Sequence, residues 1–483
     1  MSDAPQEGTS PARNNEERIA ALEAENADLR AKLVVALAQI ADLKARLGQS
    51  SRNSSRPPSS DSPAVERPPK APPSGRKPGG QPGHEAHLRK RVPRGRVNKL
   101  VVVEPDECKG CGGPLEMLDD WPDWHQIFEI LPIKPFITEF ELRAGWCPCC
   151  KRKTKATLPS GVPRSAFGLR LQSMLATLTG RFRLSKREAV QVLSELFGVE
   201  MSEGSVTACE QATSETLAAP VAEATEYVRA QQVVHADETG WRERLEKAWL
   251  WVAVTAKVTV FLIHRHRGTE AARALLGGFC GFLVSDRWCA YNDWSIDRRQ
   301  ICWAHLIRHF VAMSELSGEP ARIGKALLEE AQRLFHWWHR LKAKQLNRCT
   351  FQRYVPPLRD EVERLLERGT RCGHPKTEGR CAEILKLFPA MWTFVKHEGI
   401  EPTNNVAEQA IRPGVLWRKG SFGTHSEEGS RFAERMMTVA ATLKQQGRNL
   451  VDFVVACREA ALHGRPAPSL LPQPHAAVTP ATA

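Results

Sequence analysis

The chain has 483 residues, which is too long for one hydrophobic core, so several folded units are expected. Its 68 lysines and arginines exceed its 55 aspartates and glutamates, and the net charge of +13 indicates a polyanionic partner such as nucleic acid. Only four of the 13 cysteines form paired C-x-x-C spacings, which argues against a secreted disulfide scaffold. With neither a signal-peptide pattern at the start nor an uninterrupted apolar run of membrane-spanning length, we expect a reducing cytoplasm and no membrane partner.

Residues 16–48 carry a heptad repeat that predicts a coiled coil. One seam position holds Ile19, Asn26, Leu33, Ile40 and Leu47, and the other holds Leu22, Leu29, Ala36 and Leu43. A buried asparagine at such a position fixes the register and favours a defined oligomer. The alternative is an amphipathic helix that packs on its own chain. We expect self-association into a homodimer or higher oligomer, because the segment that follows offers no core to pack against.

The next segment, 49–99, is rich in Ser, Pro, Gly and Arg and predicts a disordered basic linker. Within 51–100, twelve Lys or Arg stand against three Asp or Glu. A merely soluble linker would not need such a one-sided charge. We expect the linker to follow DNA phosphates without reading the base sequence.

Residues 100–158 predict a zinc-binding ribbon, because two C-x-x-C pairs supply four thiolates for a tetrahedral structural Zn²⁺ site. The four thiols belong to Cys108, Cys111, Cys147 and Cys150. Cys149 is an alternative ligand in the second pair, and the segment 127–143 between the pairs alternates like paired strands. A redox dithiol is the competing interpretation, but two such pairs in one chain favour zinc.

Residues 165–228 predict a helical region with the spacing of a helix-turn-helix, in which the second helix lies in the major groove of DNA. The turn falls at Gly198, and the second helix begins near Glu203 with Ser202 as its cap. Helical hairpins in protein cores give the same pattern. A preceding basic run favours DNA contact, and its members are Arg181, Arg183, Lys186 and Arg187.

Residues 229–317 predict the first part of a ribonuclease H-like core, followed by an inserted helical subdomain at 318–399 and a C-terminal helical part at 400–462. The predicted strands are 232–236, 248–255, 258–264 and 279–285, and a helix is predicted over Thr269–Leu276. The remaining residues, 463–483, predict a disordered tail. The fold class is therefore multidomain α/β, with a coiled coil, a zinc ribbon and a helix-turn-helix ahead of the core.

Three acidic motifs carry the candidate chemistry. HADETGW, SDRWCAYN and EPTNNVAEQAIRP supply Asp237, Asp286 and Glu408. Carboxylates bind hard cations, and two such ions roughly 3.5 to 4 Å apart can activate the attacking oxygen and offset charge on the leaving oxygen of a phosphodiester. We expect two Mg²⁺ or Mn²⁺ ions per site, with the first acid bridging them. Spacing leaves open three substitutes, which are Glu238, Asp293 and Glu401.

Other polar side chains accompany these acids. His305, Asn404 and Asn405 are candidates for supporting the site. Arg412 and Lys419 are candidates for contacting DNA, because both follow the third acid along the same predicted helix.

The ordered set of motifs resembles transposases of the insertion-sequence sixty-six family, of the DDE type, in their transposase C subunit. The resemblance rests on the paired knuckles, the three acidic motifs, SSRPPSSD, RKPGGQPGH, CWAHLIRHF and RKGSFGTHSEEGSRFAERMMT. It implies catalytic acids at Asp237, Asp286 and Glu408. The family's second acid is usually followed by Gly-Tyr, whereas Arg287 and Trp288 stand there in this sequence.

The resemblance implies a bacterial, nucleoid-associated enzyme that catalyses Mg²⁺-dependent cleavage at transposon ends and strand transfer to target DNA. It also implies small accessory transposition proteins as partners. The sequence leaves two other functions open. One is a DNA-binding regulator without catalysis, and the other is a ribonuclease H-like nuclease that cuts without joining.

Overall fold

The computed structural model describes residues 11–47, 50, 52–53, 89–118 and 123–472. Most of the predicted linker and the end of the predicted tail lie outside the described residues. The chain divides into two compact units. The larger contains Met1–Val65, Glu141–Val190 and Ser202–Ala483, and the smaller contains Glu66–Phe140 and Gln191–Met201. No helix in the described part of the chain is long and apolar enough to cross a membrane.

Short strands and longer helices make up the secondary structure. In chain order, the strands are β1 (Ala144–Trp146), β2 (Lys153–Lys155), β3 (Val233–Glu243), β4 (Glu246–Val254), β5 (Thr259–His264), β6 (Phe282–Ser285) and β7 (Arg299–Ile301). The first helices are α1 (Pro11–Leu47), α2 (Leu169–Gly180), α3 (Lys186–Phe197), α4 (Glu203–Arg229), α5 (Thr269–Leu276), α6 (Trp303–Ser314) and α7 (Gly318–Lys342). The later helices are α8 (Arg348–Gly369), α9 (Pro375–Leu385), α10 (Thr393–Lys396), α11 (Asn405–Ser421), α12 (Glu427–Gln446) and α13 (Leu450–Leu462).

A five-stranded sheet in the order β5-β4-β3-β6-β7 forms the centre of the larger unit. Strands β3, β4 and β5 form an antiparallel meander. Strands β6 and β7 continue the sheet in parallel from β3. The helix predicted over Thr269–Leu276 is confirmed as α5, which connects the meander to the parallel part.

Both faces of the meander are buried because its side chains alternate between two hydrophobic clusters. Trp251 and Ala253 of β4 join one cluster with α4, α5 and α12, whereas Val252 joins the other with α11. Helix α11 lies very close to the sheet, since a Cβ at Gly414 would collide with the side chain of Leu250. Trp241 of β3 belongs to the same cluster as α11. The other odd-numbered residues of β3 lie on the same side of the strand as Trp241, so α11 covers that side.

Helix α12 provides hydrogen-bond acceptors for the backbone N–H groups on the outer edge of β5. This edge has no strand beyond it in the described sheet. Three backbone N–H groups donate to side chains spaced four residues apart on α12. The pairs are Thr259 to Thr442 Oγ1 at 3.1 Å, Phe261 to Thr438 Oγ1 at 3.0 Å and Ile263 to Glu434 Oε2 at 2.9 Å. A covered edge cannot template pairing with another chain, so α12 closes the sheet on this side.

The carboxyl of Glu434 makes stability depend on pH. Burial raises its pKa from 4.5 to about 7, although Arg431 opposes the rise. Since the folded pKa is raised, the stabilisation from the bound proton is fully present below about pH 4.5 and is lost as pH rises through about 7. Compared with Glu434→Gln, we expect the unaltered chain to lose on the order of 3 kcal/mol of unfolding free energy across this range.

Urea unfolding of both chains at several pH values measures this loss. Glu427, exposed in the first turn of the same helix, supplies the matched control Glu427→Gln. The same pH profile for Glu434→Gln and for the unaltered chain would contradict the expectation.

Helices α7 to α10 occupy the segment predicted as an inserted helical subdomain. They share a hydrophobic cluster with α6 and with the parallel end of the sheet, where Val284 and Ile301 are fully buried. These helices therefore pack against β6 and β7. Its domain limits at 318–399 remain a prediction.

The heptad segment lies in α1, where the described seam residues are exposed. Ile19, Leu22, Leu29, Leu33 and Ile40 are each between 47% and 59% exposed. Asn26 Nδ2 donates to the backbone oxygen of Leu22 at 3.1 Å. The stripe is thus not covered by the residues that the structure describes, and the coiled coil remains a prediction.

Two sequence expectations fail in detail. The segment 127–143 forms no strands, and the hairpin lies later, where β1 pairs with β2 around the second cysteine pair. The predicted tail begins with packed residues, since Leu470 is fully buried and Ser469 donates to Glu223 at 2.8 Å. Residues 473–483 lie outside the described part of the chain.

The boundaries of the predicted helix pair agree with the structure. Helix α3 ends at Phe197, Gly198 has a φ of 63°, and Ser202 caps α4 by accepting from Ser205 N at 3.2 Å. Helix α4 is 27 residues long and buries a stripe that runs from Val206 to Val228. Its role as a recognition helix remains a prediction.

Candidate active site

Asp237 lies on β3, and Asp286 directly follows the neighbouring parallel strand β6 at the same level. His235 pairs with Val284 in the register of β3 and β6, and two residues further along each chain come the two aspartates. Neighbouring strands are about 4.8 Å apart. The sequence predicted that the first strand ends before Asp237, but β3 continues to Glu243. The reason is that the hairpin with β4 extends its ladder beyond the end of β6.

Asn404 places the third acid beside the first. Glu408 lies in the first turn of α11, and Asn404 precedes that helix as a buried residue. Its Nδ2 donates to the backbone oxygen of Ala236 at 2.7 Å, and its Oδ1 accepts from His235 Nδ1 at 3.2 Å. These bonds tie the start of α11 to the two residues that precede Asp237. Asn405, the next residue, is exposed.

Helix α6 adds a second connection to the start of α11. The backbone N–H of Trp303 donates to Pro402 O at 2.9 Å, and the N–H of Asn404 donates to Cys302 Sγ at 3.1 Å. The N–H of Cys302 in turn donates to Ser285 O at 2.9 Å, next to Asp286. The elements that carry the three acids are thus joined by direct hydrogen bonds.

The electrostatics of Asp237 show that the acids are crowded. Burial raises the pKa of Asp237 well above its usual value, and the negative charges of Glu238, Asp286 and Glu408 raise it further. One backbone N–H, from Glu238, donates to Asp237 Oδ1 at 3.0 Å. A cation among these carboxylates would offset their mutual repulsion.

Each of the three substitute acids is paired with a basic side chain. Glu238 lies on the opposite side of β3 from Asp237 and accepts from Arg267 Nη2 at 2.9 Å and from Tyr291 Oη at 2.7 Å. Asp293 pairs with Arg273. Glu401 lies 2.6 Å from Lys342 Nζ. Asp286 and Glu408 are among the carboxylates whose charge raises the pKa of Asp237, whereas Asp293 and Glu401 are not.

The pair of Glu238 and Arg267 should contribute to stability. Glu238 has 1% of its side chain exposed, and the Arg267 guanidinium lies 3.8 Å from the Trp288 ring centre. Replacing Arg267 with methionine leaves a buried carboxyl without its cation. We expect a loss of up to about 3 kcal/mol, since Arg267 is one-third exposed.

Denaturant unfolding measures the effect of Arg267→Met. Arg265, two residues earlier, pairs with Glu243 and Glu246 and is 60% exposed. The matched control Arg265→Met should cost less than about 1 kcal/mol. Equal losses in the two variants would show that the buried pair has no special role.

Basic and imidazole side chains surround the third acid. His305 Nδ1 lies 3.6 Å from Glu408 Oε1, and Arg308 Nη2 lies 3.7 Å from Glu408 Oε2. Burial lowers the pKa of His309 to about 3, helped by the positive charge of Arg287, so this imidazole is neutral near pH 7. The neutral ring of His309 can both donate and accept a hydrogen bond.

The residues predicted to bind DNA have different surroundings. Arg181 and Arg183 line a cleft together with Ala410, Pro413 and Trp417 of α11. Lys186 lies 3.3 Å from Glu210, and Arg187 lies 3.3 Å from Glu203, so both pair with acids of α4. Arg412 and Lys419 are exposed on α11.

The two cysteine pairs form turns with the same hydrogen bonds. The N–H of Gly112 donates to Cys108 O at 2.8 Å, and that of Lys151 donates to Cys147 O at 2.9 Å. Both donors have positive φ, at 72° and 53°. Backbone N–H donation from Gly110 lowers the pKa of Cys108, and donation from Cys150 lowers that of Cys147. Each turn therefore favours thiolates, the form that binds zinc.

Cys302 was not among the predicted site residues. One ligand atom each from Cys302, His305 and Glu408 lies within 4.8 Å of the other two. The signal in the sequence is the C-x-x-H spacing in CWAH, which places two side chains one turn apart at a helix start. The spacing could not predict that Cys302 lies beside Glu408.

A mixed sheet with helices on both faces and a cluster of carboxylates at its centre defines an α/β protein with an acidic site. Residues 164–432 match the model of the Transposase IS66 family, and the chain belongs to this family. Residues 8–90 match a second model, a family of unknown function (DUF6444).

Two curated proteins from Sinorhizobium fredii are similar to this chain. Uncharacterized protein y4qI is 26% identical over 264 residues, which cover 47% of this chain and 48% of that protein. Uncharacterized protein y4hP is 24% identical over 400 residues, which cover 74% of this chain and 71% of that protein. The chain thus spans about half the length of the first relative.

Proposed function

We propose that this chain is a DDE transposase that cleaves transposon ends and joins them to target DNA. The observation that carries the proposal is the convergence of Asp237, Asp286 and Glu408 from β3, the end of β6 and the start of α11. The family relationship supports DNA transposition as the process. The sheet order β5-β4-β3-β6-β7, with acids on the central strand and its parallel neighbour, supports a ribonuclease H-like core.

The three acids fit a site for divalent cations. All donors are carboxylate oxygens, and Glu408 Oε1 is buried without a hydrogen-bond partner in the described residues. Two Mg²⁺ or Mn²⁺ ions held by Asp237, Asp286 and Glu408 would supply activation of the attacking oxygen and neutralisation of the leaving oxygen.

The reaction consists of two displacements at phosphorus. In the first, a water oxygen bonds to the phosphorus at the transposon end and the bond to the 3′ oxygen breaks, so a 3′-hydroxyl is released after it takes up a proton. In the second, that hydroxyl oxygen bonds to a target phosphorus and displaces the 3′ oxygen of the target strand. Arg308, beside Glu408, and Arg287, after Asp286, orient the phosphate and offset its charge.

Several regions would hold the DNA. Arg181 and Arg183 face the cleft beside α11, and Arg412 is exposed on the same helix, so these three are the stronger candidates for phosphate contact. Lys419 is also exposed on α11 and is a further candidate. Lys186 and Arg187 must exchange their acidic partners on α4 for phosphates. Structural Zn²⁺ is the ion expected for the cysteine turns, of which one supplies Cys108 and Cys111 and the other supplies Cys147 and Cys150.

The exposed stripe of α1 would pair two copies of the chain. Seam residues such as Leu22 and Leu29 are more than half exposed, and a second copy would bury them. A dimer or higher oligomer would bring two transposon ends together. Small accessory transposition proteins are further partners implied by the family.

A paired cleavage and strand-transfer assay tests the proposal, with labelled transposon-end DNA, target DNA and Mg²⁺. We expect both products from the unaltered chain and neither from Asp237→Asn, with DNA binding retained in both. Cleaved ends that never join a target would indicate a nuclease. End binding without cleavage, even with accessory proteins added, would indicate a regulator and overturn the proposal.

A further inference from the structure

A second ligand set overlaps the acidic site at Glu408. Cys302 lies between β7 and α6, and His305 lies one turn into α6. Their ligand atoms and a carboxylate oxygen of Glu408 are mutually within 4.8 Å. Sulfur, imidazole nitrogen and carboxylate oxygen are together the donors that borderline metal ions such as Zn²⁺ prefer, whereas Mg²⁺ prefers oxygen alone.

The polar atoms of this set lack partners that their burial requires. His305 Nδ1 and Glu408 Oε1 are both buried, and neither has a hydrogen-bond partner within the described residues. They are 3.6 Å apart, which is too far for a hydrogen bond between them. Buried polar groups without partners are costly and rare. A cation between the two atoms would satisfy both.

Backbone hydrogen bonds hold the elements that carry the set in place. One contact of this kind is the N–H of Asn404, which donates to Cys302 Sγ at 3.1 Å. The bond from Trp303 N to Pro402 O keeps the starts of α6 and α11 together. A set of three protein ligands is typical of zinc sites in which water or substrate takes the fourth position.

We propose that Cys302, His305 and Glu408 bind one Zn²⁺-class ion. The inference deepens the proposed function, since Glu408 belongs to both sites and one ion there excludes it from an all-oxygen Mg²⁺ site. When the ion binds, the thiol proton of Cys302 is released to solvent and a sulfur–metal bond forms. Zinc in excess should therefore compete with Mg²⁺ for Glu408.

Counting bound ions tests the site independently of catalysis. The full chain is stripped of metal, loaded with Zn²⁺, freed of unbound ion and measured by mass spectrometry. We expect Cys302→Ala and His305→Ala each to lose one equivalent of zinc relative to the unaltered chain. Cys349, an exposed cysteine on α8, supplies the control Cys349→Ala, which should lose none.

Cobalt provides a second measurement should Cys302→Ala fail to fold. With Co²⁺ in place of Zn²⁺, Cys302→Ser should lose part of the sulfur-to-cobalt charge-transfer absorption, while the contribution of the paired cysteine turns remains. Unchanged zinc counts and cobalt spectra in the variants would overturn this site and leave the proposed function standing. A zinc loss as expected, in a chain that never cleaves DNA, would support this site and contradict the proposed function.

Discussion

Replacing Asp286 with asparagine should reduce both end cleavage and strand transfer by about 1,000-fold or more. The change removes a charge and a ligand oxygen beside Asp237 while it keeps the size of the side chain. Asp286 Oδ1 also accepts from Trp288 N at 2.8 Å, and an asparagine oxygen can accept the same bond, so the local turn should persist. Product formation on labelled DNA under single-turnover conditions measures the loss.

Asp293 is the matched control, because it lies seven residues later and pairs with Arg273 outside the acidic cluster. Asp293→Asn should keep activity within about threefold of the unaltered chain. The third motif offers the same comparison. Glu408→Gln should lose as much activity as Asp286→Asn, and Glu401→Gln should keep as much activity as Asp293→Asn. If Asp293→Asn or Glu401→Gln were the inactive variant, the assignment of the acids would be wrong.

Replacing Asn404 with alanine should impair both stability and catalysis. The side chain is 1% exposed, and its loss leaves Ala236 O and the ring of His235 without their partners. Two such unpaired groups cost about 2 to 5 kcal/mol together. Because the same bonds hold α11 against β3, Glu408 should also lose its position relative to Asp237. A displacement of about 1 Å lowers the rate by about 100-fold.

Asn405 provides the control for this prediction, since it is the neighbouring asparagine and is exposed. Asn405→Ala should change unfolding free energy by less than about 0.5 kcal/mol. Urea unfolding measures the first effect, and the rate of cleavage at saturating Mg²⁺ measures the second. An Asn404→Ala chain with normal stability and normal rate would show that α11 is held by its hydrophobic contacts alone.

The order of motifs and several element boundaries could be predicted from the sequence, because their signals are local. A serine before an acidic helix start identified the beginning of α4, and two apolar runs separated by polar residues identified β4 and β5. The motifs also supplied the candidate acids, whose roles remain predictions. Local signals could not determine where β3 ends, because its last eight residues are held by pairing with β4 rather than with β6.

The sequence by itself determined the family, the three acidic motifs and the alternation of strands and helices in the core. Only the tertiary structure gave Asp237 and Glu238 different surroundings, because one side of β3 faces α11 and the other faces Arg267 and Tyr291. It also brought Cys302 beside Glu408. Both results depend on contacts between residues far apart along the chain, whose side-chain directions are fixed only when the sheet and its covering helices pack together.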